Sequence, residues 1–193
     1  MDNNTGIFVI DGQDKLSELA ETAFSAEEDL QRLLETHPQL IPTAQLDSAS
    51  DHRWLLITRE AGVPHEENGS DRWSLDHLFV DGEGVPTLVE VKRGSDTRVR
   101  REVVGQMLDY AANALAYWSV DKITALFAKN CERMGQDPDV LLEQFIDAEE
   151  NSAAGFWQQV KTNLQAGRVR LLFIADRIPT ELARIIEFLN EQM

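Results

Sequence analysis

Residues 73–93 read WSLDHLFVDGEGVPTLVEVKR. Two apolar runs flank Asp81-Gly82-Glu83-Gly84, the pattern of two strands joined by a glycine-containing turn. In the second run polarity alternates: Val89 and Val91 take one face, and Leu88, Glu90 and Lys92 take the other. In the first, Asp76 sits among Leu75, Leu78, Phe79 and Val80, where a carboxylate is costly without a partner. If the hairpin closes as its turn predicts, Asp76, Glu90 and Lys92 converge. Two carboxylates and a lysine at one point suit a hard cation with a proton-handling amine beside it.

The chain of 193 residues fits one domain, 1–193, with 42% hydrophobic and 27% charged residues. No apolar run reaches the roughly 18 residues of a membrane span, and the acidic, polar start is not a secretory signal. The single cysteine, Cys131, excludes an internal disulfide and is read as a packed helix residue. A cytoplasmic setting with no membrane partner is the expectation. A net charge of −16 disfavours broad adhesion to nucleic acid. Against that balance, Lys92, Arg93, Arg98, Arg100 and Arg101 cluster immediately after the hairpin, opposed only by Asp96. Cations at a helix start oppose its dipole, which favours a functional patch over a merely solvated one.

Outside the hairpin, residues 6–10 read as an edge strand or a cap on the core, and 14–22 as a helical turn or two. A helix follows, with Ser25 and Glu28 as its capping box and Leu30, Leu33 and Leu34 at helical spacing, ending before Pro38. Residues 41–52 and 61–72 read as loops around a strand at 53–60. A long helix is expected over 97–118, with Gln106 and Tyr110 on the same side. Helical segments over 121–166 form an insertion. The apolar run 168–175 suits a strand buried on both faces, and 180–192 is a final amphipathic helix. The fold class is therefore α/β (or α+β), with a mixed central sheet flanked by helices.

Asp76, thirteen residues, then Glu90-Val91-Lys92 resembles the signature of the PD-(D/E)xK nuclease superfamily, with its restriction-endonuclease-like core of helix, three strands, helix, strand (αβββαβ). Gln106-x-x-x-Tyr110 looks like the Q-x-x-x-Y motif of the RecB-type branch. The acid usual on that family's first helix matches Glu27 best, with Glu28 the alternative. Leu75 stands where the family has proline. The chain also resembles a group of uncharacterised bacterial proteins sharing LVEVKR, RREVVGQMLDYAAN and EFLNEQM; these are longer, which implies a C-terminal domain beyond this chain.

The resemblance implies a metal-dependent DNA hydrolase of repair or defence, acting in endo or exo mode. Asp76, Glu90, the Val91 carbonyl and Glu27 would hold Mg2+ or Mn2+. Lys92 would orient the attacking water or stabilise the phosphate, and Gln106 and Tyr110 would support the site or touch the substrate. Arg93, Arg98, Arg100 and Arg101 would contact phosphates. DNA is the implied partner, and a homodimer is common among such proteins. Other readings stay open: a cross-strand Glu90–Lys92 charge pair, a surface pair at Gln106 and Tyr110, a non-catalytic binding module retaining the fold, or an assembly protein using the acidic segment 137–150. His37, His52, His65 and His77 lack paired spacing for zinc. His77, next to Asp76, should point to the opposite face, packed or exposed rather than catalytic.

Overall fold

A computed structural model describes residues 7–20, 22, 24–41, 53–66, 71–94, 102–146 and 152–192. Its elements are β1 (Ile7–Ile10), β2 (Leu16–Leu19), α1 (Glu27–Thr36), a 3-10 turn (Pro38–Leu40), β3 (Trp54–Pro64), β4 (Asp71–Asp81), β5 (Pro86–Lys92), α2 (Glu102–Tyr117), α3 (Val120–Met134), α4 (Pro138–Phe145), α5 (Ala153–Gln165), β6 (Arg170–Ala175) and α6 (Thr180–Gln192). The main sheet has the order β3-β4-β5-β6; the first three strands are antiparallel and β6 runs parallel to β5. The fold is mixed α/β, with this four-stranded sheet and a separate β1–β2 sheet.

Alternation along the strands builds two cores. Leu55, Ile57, Leu78, Val80 and Leu88 face α2, α3 and α5, meeting Met107, Ala111, Phe127, Phe156 and Val160. Trp54, Leu56, Phe79, Val89 and Val91 face the other way, onto Leu30 and Leu34 of α1. A third cluster joins Val103 and Val104 of α2 to Leu182 of α6. The central hairpin turns at the expected residues and places Leu78 opposite Leu88. The Asp81 carboxylate accepts from the N–H groups of Glu83 and Val85, while Gly84 takes a left-handed backbone (φ 73°). A Cβ on Gly84 would approach Val160 N to 3.1 Å, so both conformation and packing call for glycine.

Several sequence expectations are corrected. Residues 16–19 are strand β2 rather than helix: Asp11 accepts from the N–H groups of Gln13 and Lys15, closing a hairpin onto β1. Residues 61–64 and 71–72 are strand rather than loop, because β3 and β4 continue past the expected boundaries. The cap of α1 is not Ser25 with Glu28. Asp29 accepts from Ala26 N–H at 3.2 Å and from the Ser25 hydroxyl at 2.5 Å. Strand β6 packs on both faces as expected, Leu171 and Phe173 against one core and Leu172 and Ile174 against the other, but it is half-buried rather than buried, being an edge strand among the described residues. Helices α3–α5 lie where helical segments are expected between α2 and β6, and Cys131 is buried in α3 as a free thiol. No helix among the described residues is long and apolar enough to cross a membrane.

Candidate functional site

Pairing between β4 and β5 runs only from Val80–Pro86 to His77–Val89. Beyond it the strands part, and Asp76 is left without a ladder partner on β5. Its carboxylate instead accepts from Val91 N–H at 2.7 Å. The next residue, Lys92, ends β5 and turns its ammonium back into this opening. There it lies 2.7 Å from Glu90 Oε1, 3.2 Å from Glu27 Oε1 and 3.9 Å from Asp76 Oδ2, and it donates to the Val91 carbonyl at 3.0 Å. All four groups expected to ligate a cation thus surround one ammonium. Glu27 arrives because α1 begins there, so of the two acids matched to this role it is Glu27, rather than Glu28, that reaches the site; Glu28 faces Arg59 at 3.7 Å.

From the other layer, α2 contributes Gln106 and Tyr110, one helical turn apart. Gln106 Nε2 donates to Glu90 Oε1 at 2.9 Å and to the Tyr110 hydroxyl at 2.5 Å. The pair is therefore tied to Glu90 and is not a free surface pair; the Tyr110 ring itself is part of the core.

Charge and burial conflict here. Glu90 is 2% exposed, and burial followed by repulsion from Asp76 pushes its carboxyl up to about 7, against the pull of Lys92. Burial also raises Asp76, opposed by the Val91 N–H and Lys92. Burial lowers the Lys92 ammonium, but its bond to Glu90 and the charges of Glu90, Asp76 and Glu27 outweigh this and leave it above its ordinary value. Tyr110 is raised by burial. Glu90 Oε2 is buried with no hydrogen-bond partner among the described residues. An orphaned carboxylate oxygen among oxygen-only donors fits the chemistry of a hard divalent cation. In this arrangement, however, the acids close on the ammonium. Among the described residues no group of three or more His, Cys, Asp or Glu side chains is disposed to hold a metal ion.

Arg93 follows Lys92, half-buried, with its Nε inaccessible and unpaired among the described residues. Arg98, Arg100 and Arg101 lie outside the described residues. Gln31 was not singled out from sequence, yet its amide favours the charged form of Asp76, and its carbonyl faces His77 Nε2 at 3.0 Å. The signal was its position four residues after Glu27, on the same helical face.

His77 points away from the site, as strand alternation requires. It is fully buried and stacked on Phe79, and burial lowers its pKa to about 4. The unfolded chain takes up this proton near pH 6.5, the folded chain only near 4, so folding loses stability as pH falls between those values. The full loss is about 3 kcal/mol. His77→Phe is expected to flatten this part of the acid limb, checked by urea midpoints of both proteins at pH 4.5 and 7.

Comparison with protein-family models, with curated proteins and with solved structures finds no match for this chain.

Proposed function

We propose that this protein is a Mg2+- or Mn2+-dependent nuclease that hydrolyses DNA phosphodiester bonds, built on a restriction-endonuclease-like core and working in the cytoplasm in repair or defence. The observation that carries this reading is the gathering of Glu27, Asp76, Glu90 and the Val91 carbonyl around one cationic centre. The order α1, β3–β5, α2, β6 supports it, being the αβββαβ order that the sequence motifs lead one to expect.

In this mechanism Asp76, Glu90, Glu27 and the Val91 carbonyl hold the divalent ion, which when bound supplies Lewis acidity and a water of lowered pKa. The chain's own groups do the rest. Gln106 fixes the Glu90 carboxylate by donating to Oε1. Lys92 exchanges its carboxylate partners for the phosphate, donating to the oxygen on which negative charge develops. Arg93, with Arg98, Arg100 and Arg101, contacts flanking phosphates.

The test is cleavage of single-stranded, duplex and branched DNA in Mg2+ or Mn2+ and in EDTA, with Glu90→Gln alongside. Metal-dependent cleavage by the wild type, lost in EDTA and in Glu90→Gln, is the expected result. A second reading is a non-catalytic binding module, favoured by the closure of the acids on Lys92 with no three-acid metal group among the described residues. No cleavage of any substrate, together with no calorimetric heat for either ion, would replace the nuclease reading with that one.

A further inference from the structure

A groove of about 920 Å³ runs beside the candidate site, between α1, the β3–β4 ribbon and α3. It is joined to the site by direct contacts. The Trp73 ring, which lines the groove, lies 6.3 Å from the Tyr110 ring, and Tyr110 bonds Gln106, which bonds Glu90. At the other side Glu28 lines the groove while its neighbour Glu27 enters the site.

The groove departs from the chain's acidic character. Arg59, Arg72, Lys129 and Arg133 line it, matching its four acids Glu28, Glu35, Glu60 and Glu132, whereas the whole chain carries −16. Two of the cations are committed: Arg59 lies 3.6 Å from Glu35, and Arg133 also pairs with Glu35. Arg72 and Lys129 are exposed and have no ion pair among the described residues. The Arg72 guanidinium lies 5.2 Å from the centre of the half-buried Trp73 ring, a flat cation over an aromatic face.

We propose that this groove is the track for an unpaired nucleic-acid strand. A base stacks on Trp73 in place of the Arg72 guanidinium, and Arg72 and Lys129 take the adjoining phosphates, so that the strand leads past Tyr110 to the acids around Lys92. An indole face can hold a base only when that base is unstacked, which selects single strands. A duplex offers no free base face and carries one charge per ~1.7 Å, more than two free cations in an acidic chain can answer. This deepens the nuclease reading by naming its substrate class, and it rests on that reading only for the direction of the strand.

The experiment is fluorescence anisotropy of the full chain with a labelled oligo-dT of ~12 nucleotides and with the matching duplex, in EDTA so that nothing is cut. Tighter binding of the single strand is expected. Trp73→Ala should weaken it by about five- to 150-fold, with Trp73→Phe retaining most of the affinity. Should Trp73→Ala not fold in a thermal melt, the exposed double variant Arg72→Ala, Lys129→Ala carries the test, lowering the slope of log affinity against log salt by about 1.4. Equal or tighter binding of the duplex, or wild-type binding by these variants, or no binding of oligo-dT, would overturn the proposal. Because the measurement needs no metal, the two readings fail separately. Single-strand binding by a protein that never cuts sinks the nuclease and leaves the groove. Metal-dependent cleavage of single strands at an unchanged rate in Trp73→Ala, with oligo-dT binding equally unchanged, sinks the groove and leaves the nuclease.

Discussion

Lys92→Ala is expected to reduce DNA cleavage by at least about 100-fold and to destabilise the protein in a pH-dependent way. Among the described residues the ammonium is the one cation within 4 Å of Glu27, Glu90 and Asp76 together. In the proposed mechanism its loss removes the donor that answers charge developing on the phosphate, an interaction of the kind worth about 10²–10³ in rate when deleted singly. The stability effect has a definite sign. Glu90 is raised to about 7 in the folded protein by burial and by Asp76, with Lys92 as the restraint on that rise. A raised carboxyl contributes stability at low pH that is lost as pH climbs from the unfolded value of 4.5 through the folded one. Without Lys92 the folded value climbs further. At pH 5 Glu90 is protonated in both proteins and they differ little. Above pH 7 the variant must either hold an unpaired buried carboxylate or keep it neutral at growing cost. Urea denaturation at pH 5, 7 and 8.5 reads this directly. A stability gap that is constant with pH would remove the electrostatic account of the site, and full cleavage by the variant would remove Lys92 from the mechanism.

Asp81→Ala is expected to be the most damaging structural change, costing about 3 kcal/mol. Asp81 is fully buried at the turn of the central hairpin. Its Oδ1 accepts from Glu83 and Val85 N–H, and its Oδ2 takes Arg170 Nη1 at 2.6 Å. One side chain thus closes the β4–β5 turn and clips β6 to it. Truncation strands two backbone donors and leaves Arg170, 22% exposed, without this carboxylate. Solvent reaching Arg170 keeps the cost toward the low end of a broken buried pair. Asp81→Asn keeps an acceptor for the turn and should lose roughly half as much. Urea unfolding of both variants checks the ranking; equal and small losses would show that Asn163, which donates to the Glu83 and Gly84 carbonyls from α5, holds the turn alone.

The legible part of this fold was local. The hairpin of 73–93 announces itself through alternation and a turn whose residues have special backbone chemistry, and those signals lie within a few residues of one another. Asp76, Glu90 and Lys92 were readable for the same reason: strand geometry brings them together once the turn is known. What stayed hidden depended on neighbours distant in the chain. The apolar run of β6 looks fully buried, but whether a strand has one flank or two is decided by the sheet order. Residues 16–19 show no periodicity strong enough to override helix propensity, and the deciding group is Asp11, upstream of them. The groove is assembled from α1, β3, β4 and α3, so no spacing of Arg59, Trp73 and Lys129 along the chain could have foretold it.

The short pairing between β4 and β5 has a mechanical meaning. The sheet is two ribbons, β3–β4 and β5–β6, fastened along a seam that ends at His77 and Val89. Asp76 belongs to the first ribbon, and Glu90 and Lys92 belong to the second. Phe79 of the first ribbon packs with Val89 and Val91 of the second, so the two are joined by their cores as well as by the ladder. The spacing of the acids is thus set by single side-chain bonds across the end of the seam, Asp76 to Val91 N–H and Lys92 to Glu90, rather than by a ladder of backbone pairs.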